Sequence, residues 1–256
     1  MNLKETEIPG LRIEEINMGK PGQSNFTDGA LEPYSYFFYK TLEQESITWE
    51  NLKSVTIYLL NVANNSVVTL VNTKDNLQVG DAVQAENSVI TLKVEEGPVE
   101  FLVAGTEVPQ SEKEEVKLTQ YSDLYRVTKP WGHELWINGQ HPGYCLKQVY
   151  IKSGTKTSLQ YHQYKQETNV LFEGEANIHY KNNQSIHNDD VTSKDTGYVN
   201  TFPVSVVNVL PGTLHRVEAV TNITLYETST PYLDDVIRVQ DDSGRSHGRI
   251  HKEHQR

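Results

Sequence analysis

The chain has 256 residues, 36% of them hydrophobic, with 14 Tyr, 6 Phe and 3 Trp, a size for one large domain or two small ones and too aromatic for a disordered acidic tail. A formal charge of −11 argues against a nucleic-acid partner, because neutralising phosphates needs a basic surface. No apolar run approaches the roughly 18 residues of a membrane span, the N-terminus lacks the apolar stretch of a signal peptide, and one cysteine cannot form an internal disulfide; together these favour the cytoplasm.

Helical periodicity is sparse along the chain, whereas short runs rich in Val, Ile, Thr and Tyr recur, and these predict strands. The first set covers 54–62, 66–72, 88–94 and 99–105. The charged stretch 111–117 (SEKEEVK) then reads as a solvated loop or short helix linking two domains, 1–118 and 119–256. A second set follows at 144–151, 168–174, 176–180, 204–210 and 223–229, with Gly97-Pro98, Ser153-Gly154 and Pro211-Gly212 among the separating turns. Many short strands with little helix between them predict an all-β sandwich or barrel. Segments 81–109 and 206–231 share a pattern of strand, tight turn, strand, short turn, long apolar strand and proline, as a duplicated barrel would.

Charge and histidine divide the chain unevenly. Residues 1–120 carry 19 acidic and 9 basic side chains, residues 121–256 carry 15 and 14, and all nine histidines lie at or after His133. Imidazole chemistry, and most cations able to hold an anionic ligand, therefore belong to the second part. Its most informative stretch is SGTKTSLQYHQYKQETNVLFEGEANIHY, 153–180. Strand alternation puts Gln160 and His162 on one face, Glu167 follows after four residues, Gly174 suits a turn to a returning strand, and His215 follows the Pro211-Gly212 turn. An amide oxygen, two imidazoles and a carboxylate converging in one barrel would suit a divalent first-row metal such as Zn, Mn, Fe or Ni, with positions left for water or substrate. Gln160 either completes that set or hydrogen-bonds a neighbouring ring.

The pattern Gln-x-His-x4-Glu-x6-Gly followed by Pro-Gly-x-x-His resembles the cupin superfamily, with Gln160 where most cupins have a first histidine. Four pieces, KPWGHELW (129–136), SLQYHQYKQE (158–167), PGTLHRVE (211–218) and LDDVIRVQDDSGR (233–245), look in this order like the cupin domain of type II mannose-6-phosphate isomerases. The resemblance implies two tandem cupin-like jelly rolls, the first degenerate and without histidines, and a metal held by Gln160, His162, Glu167 and His215. It also implies a metal-dependent sugar-phosphate isomerase or a related sugar epimerase. Tyr164 stands where that family has a further histidine.

Such a reaction needs a general base, for which Glu134, Lys165, His133 and Glu173 are the candidates, and cations for a phosphate, for which Lys147, Lys165, Arg216 and Arg238 are available. Tyr164 joins the candidate substrate contacts. Trp131 reads as a packing corner, Cys145 as a small buried hydrophobe, and His247, His251 and His254 as a solvated tail. The expected partner is a sugar or sugar phosphate, and an edge strand offers a route to a homodimer. Two other readings stand beside the isomerase: a non-catalytic carbohydrate- or nucleotide-sugar-binding cupin, and a metal-dependent oxygenase.

Overall fold

The computed structural model describes residues 6–8, 11–15, 24–25, 34–41, 44–49, 53–63, 66–181, 196–203 and 205–249. Of the tail histidines, His247 is exposed, and His251 and His254 lie outside the described residues. The described residues are strands and turns with one short 3-10 helix, Tyr121–Asp123, and none of their helices is long and apolar enough to cross a membrane.

Two compact units interleave along the chain. The first comprises Asn17–Tyr125 with Ile137–Leu146, the second Met1–Ile16, Arg126–Trp136 and Lys147–Arg256. Against the expected boundary at 118/119, the N-terminal strands Thr6–Ile8 and Leu11–Glu15 join the second unit, and 137–146 joins the first. His141 is therefore in the first unit, although the stretch before residue 119 holds no histidine. Its Nε2 lies 3.2 Å from Glu86 Oε1.

Each unit is a jelly roll of two antiparallel sheets. In the first, a six-stranded sheet runs Glu115–Thr119, Ala82–Glu86, Ser54–Val62, Val99–Thr106, Ser35–Thr41, Ser24–Asn25, and a four-stranded sheet runs Glu45–Trp49, Ile90–Val94, Val68–Leu70, Asp75–Leu77. In the second, an eight-stranded sheet runs Thr6–Ile8, Leu11–Glu15, Ser205–Val209, Glu167–Glu173, Ile223–Ser229, Cys145–Ile151, Gly132–Asn138, Tyr125–Lys129. Its partner sheet runs Gly197–Thr201, Ala176–Lys181, Leu214–Ala219, Leu159–Tyr161, Ile237–Gln240, Gly248–Arg249.

In the segment 111–117 the expectation of a loop holds for 111–114 and is corrected from Glu115 onward. Glu115–Thr119 is an edge strand pairing with Ala82–Glu86, and its charges suit an edge, where like strands must be discouraged from pairing.

The echo between 81–109 and 206–231 is a match of topology. In both segments the first and third strands flank one common neighbour and the second crosses to the opposite sheet. The common neighbours are Ser54–Val62 and Glu167–Glu173, and their registers coincide. Glu167 opposes Val209 and Ser229, the last residues of its two neighbours, as Ser54 opposes Glu86 and Thr106. The two strand-end residues nevertheless face opposite ways: Val55, Ile57 and Leu59 enter the core of the first unit while Ser54 donates to Glu86 Oε1 at 2.6 Å, whereas Glu167 shares the inward parity of Leu171. The inward positions of the first unit, Ile47, Ile57, Leu59, Leu70, Leu92 and Phe101 among them, form one apolar core, where the second unit also carries polar groups.

Candidate metal centre

The second unit has an apolar core of Ile151, Leu171, Ile178, Val207, Ile223 and their neighbours, and above it a cavity with about 700 Å³ of empty space, its mouth included. Trp131 belongs to both the core and the cavity wall, beyond its expected part as a packing corner. Gly174 sets the hairpin that carries one wall: its φ is +84°, and a Cβ there would sit 2.2 Å from the carbonyl oxygen of Asn222. Only a residue without a Cβ fits both constraints.

Three of the four expected ligands converge. His162, Glu167 and His215 are buried, and one nitrogen or oxygen from each lies within 4.8 Å of the others. His215 Nε2 is 3.0 Å from Glu167 Oε1, and His162 Nε2 is 3.3 Å from Glu167 Oε2 without the geometry of a hydrogen bond. Gln160 lines the same cavity and pairs with His215 across the strands, while its Oε1 accepts a hydrogen bond from Ser158 at 2.7 Å.

The tautomers follow from the outer nitrogens. His215 Nδ1 faces the carbonyl of Thr213 at 2.9 Å and His162 Nδ1 faces the carbonyl of Asp235. A carbonyl only accepts, so both Nδ1 atoms donate, and in the neutral rings both Nε2 lone pairs point at a carboxylate that can also only accept. In that neutral form the facing acceptors call for a positive charge between them, which either a proton on His215 or a metal ion would supply. The donor set, two imidazoles and one carboxylate with room for further oxygens, fits a divalent first-row ion.

The charge balance is drawn tightly around Glu167. Lys165 Nζ donates to Glu167 Oε2 at 2.8 Å and to Glu227 Oε1 at 2.6 Å, Lys147 Nζ approaches Glu227 Oε1 at 3.3 Å, and Asn169 donates to Glu167 Oε1 at 3.1 Å. Burial alone would raise the Glu167 carboxyl, but the Lys165 ammonium and the two imidazoles hold it well below the usual carboxylate range. Burial would lower Lys165, and its two carboxylates more than reverse this, so it stays an ammonium. Burial pushes His162 down, whereas in His215 the opposing effect of Glu167 wins and the pKa rises.

The other expected residues separate by strand parity and loop. Glu134 lines the cavity, 3.5 Å from Lys129 Nζ and accepting from Trp136 Nε1 at 3.1 Å. His133, the next residue on the strand Gly132–Asn138, is not in the lining and stacks on Tyr150 at 5.2 Å, so it is set aside as a base. Glu173 is exposed and accepts from Thr224. Lys147 and Lys165 line the cavity. Arg216 and Arg238 do not: Arg216 is buried against the Thr157 carbonyl and Asp242, and Arg238 donates to the Ser246 carbonyl. Tyr164 is 63% exposed, outside the lining. Cys145 is buried, as expected of a small hydrophobe.

The cavity adds Lys129, Asn169, Glu227 and Arg245, of which Asn169 and Glu227 had no motif to announce them. Asp235 holds His162 through its carbonyl and receives the N–H of Lys165 on its carboxylate at 2.9 Å.

Residues 113–241 match the family model described as Mannose-6-phosphate isomerase C-terminal. No curated protein matches the chain. In fold it is similar to an IolB-like protein from Salmonella typhimurium, with a TM-score of 0.62 and 14% identity over 85% of this chain and 90% of that one. It is also similar to an oxalate decarboxylase mutant from Bacillus subtilis (TM-score 0.60, 11% identity, 92% and 77% covered). A third likeness is to quercetin 2,3-dioxygenase from Acinetobacter baumannii (TM-score 0.55, 11% identity, 84% of each chain covered). At these identities the likenesses establish tandem cupin jelly rolls and leave the chemistry open.

Proposed function

The chain belongs to the mannose-6-phosphate isomerase C-terminal family, and from that premise we propose that it is a metal-dependent isomerase interconverting an aldose phosphate and its ketose. The observation that carries the reading is the pairing of the His162, Glu167 and His215 cluster with four cationic side chains, Lys129, Lys147, Lys165 and Arg245, in one cavity. The lining carboxylates are three, Glu134, Glu167 and Glu227, so the lining is net cationic even before a divalent ion is counted, and it favours an anionic ligand.

A divalent cation, when bound, supplies positive charge to neighbouring hydroxyl and carbonyl oxygens of a sugar. His162 and His215 would hold it through Nε2, with their Nδ1 protons fixed on carbonyls, and Glu167 through its carboxylate. Glu134 is the carboxylate left to take a proton from the carbon beside the sugar carbonyl and return it to the neighbouring carbon. Lys165, fixed as an ammonium between two carboxylates, serves charge balance rather than proton abstraction. Lys147, Lys129 and Arg245 supply donors for the phosphate.

The test is turnover of mannose 6-phosphate and other aldose phosphates by metal-loaded protein, followed by ketose formation. Turnover that disappears in Glu134→Gln, with metal content retained, is expected; no turnover of any hexose, pentose or heptose phosphate would refute the reading. A second reading, a non-catalytic carbohydrate-binding cupin, draws support from Lys165, whose ammonium already occupies Glu167 Oε2. It predicts sugar binding without conversion.

A further inference from the structure

Two tyrosines lie outside the cavity yet next in sequence to its lining. Tyr164 stands between the lining residues His162 and Lys165, and Tyr232 immediately precedes Leu233, a half-buried member of the same lining. Their side chains are 63% and 51% exposed, and their rings lie 6.0 Å apart at a 50° tilt.

A single exposed tyrosine is ordinary, but this pair is anchored from beneath. The buried Asp235 carboxylate accepts the N–H groups of Tyr164 and Lys165, and the Asp235 N–H donates to the Tyr232 carbonyl at 3.2 Å. One residue thus ties together the two segments that bear the rings, and its carbonyl is the one that orients His162. The exposed Arg249 donates to Gln163 Oε1, on the residue before Tyr164, at 3.3 Å and lies 3.5 Å from Asp235 Oδ1, so an amide and a guanidinium adjoin the segments that bear the rings.

We infer that Tyr164 and Tyr232 form a subsite for a pyranose ring that lies outside the cavity, joined to the sugar whose phosphorylated, reacting end lies within. The ligand class then extends from a monosaccharide phosphate, held by the cavity alone, to a phosphorylated oligosaccharide, a step that rests on the reading of the cavity as a sugar-phosphate site. Sugar rings present C–H groups on a puckered face, which can meet two tilted aromatic rings at once; a flat nucleobase stacks on only one of them. The sugar hydroxyls take hydrogen bonds from Gln163 and Arg249.

The experiment titrates the full-length, metal-loaded protein with mannobiose, a neutral probe that isolates ring contact from phosphate binding, and reads saturation transfer from protein to sugar C–H protons by NMR. Tyr164→Ala and Tyr232→Ala are each expected to weaken binding by about 3- to 10-fold, with metal content and melting temperature kept. Chelated protein is expected to retain mannobiose binding. Undiminished binding by the double alanine variant overturns the subsite, as does loss on chelation alone, or tyrosine-dependent binding of uridine monophosphate in place of the sugar. Should the double variant fail to fold, Tyr164→Phe with Tyr232→Phe keeps the test: stacking predicts retained binding, and loss overturns it. Absence of isomerase turnover with intact mannobiose binding leaves the subsite standing, so the two readings fail separately.

Discussion

At the scale of single residues, the site is defined by where protons can sit. Two rings that donate through Nδ1 to carbonyl oxygens present Nε2 lone pairs to Glu167, and removing either ring removes a ligand without changing the strands that carry it. His215→Ala and His162→Ala are therefore each expected to lose divalent metal on dialysis where the wild type retains it, as read by elemental analysis. Asp235→Ala, which removes only the support of the loop beneath His162, is expected to weaken metal affinity by about 10- to 100-fold, measured by competition with a chromophoric chelator. Lys165 is a counter-charge to two buried carboxylates, so Lys165→Met leaves Glu167 without its ammonium and Glu227 with Lys147 alone, and is expected to cost roughly 3 kcal/mol in urea unfolding of metal-free protein. The loss should be smaller with metal present, because the ion then supplies the missing positive charge. His162, Glu167 and His215 were legible in the sequence because strand alternation and a Pro-Gly turn fix their directions. His133 was not separable from Glu134, since adjacent residues on a strand differ only by parity and nothing local says which face is inward. Asp235 left no signal, as it reaches His162 through a backbone carbonyl 73 positions away.

Among elements, the strand ranges were the most readable level, because β-branched runs bounded by turn residues mark strands by composition alone: the predicted 54–62 and 223–229 match Ser54–Val62 and Ile223–Ser229. The charged strand Glu115–Thr119 escaped, since an edge strand needs no apolar face to hold its ladder. The repeat between 81–109 and 206–231 was visible as a rhythm of strands and turns, but the opposite facing of Ser54 and Glu167 at matching strand ends needed the register and the core. Gly174 is where an element boundary can be tested. A methyl group there meets the Asn222 carbonyl in a backbone conformation that disfavours L side chains, so Gly174→Ala is expected to destabilise the second unit by about 1–3 kcal/mol. Calorimetry reads the loss as a lowered melting transition; an unchanged transition would show that the hairpin can relax.

For the whole molecule, stability against pH follows from several buried charges acting together. Burial opposes ionisation of Glu167, Glu227 and Asp241, but Lys165 for the first, Lys147 with Lys165 for the second, and Arg245 for the third hold each below its ordinary value. Their folded pKa values thus lie below the unfolded ones. The stability they contribute is fully present above about pH 4.5 and is lost as pH falls through the folded values. His215 has the opposite sign: its folded pKa is raised, so its contribution is full below about pH 6.5 and disappears as pH rises through the folded value. His162, depressed by burial, opposes the fold as pH falls from about 6.5 through its folded value, and there offsets the contribution of His215. Metal-free protein should accordingly show a melting temperature that declines as pH rises above about 6.5, varies little just below it and drops on the acid side, with a shallower acid limb in Glu227→Gln. Metal-loaded protein should behave differently, because a cation competes with the proton that His215 would otherwise hold. The gain in melting temperature on adding metal is expected to be several degrees at pH 7.5 and to shrink as pH falls below about 6.5. A gain that is independent of pH, or one that persists in His215→Ala, would place the stabilising ion somewhere other than between the two imidazoles and Glu167.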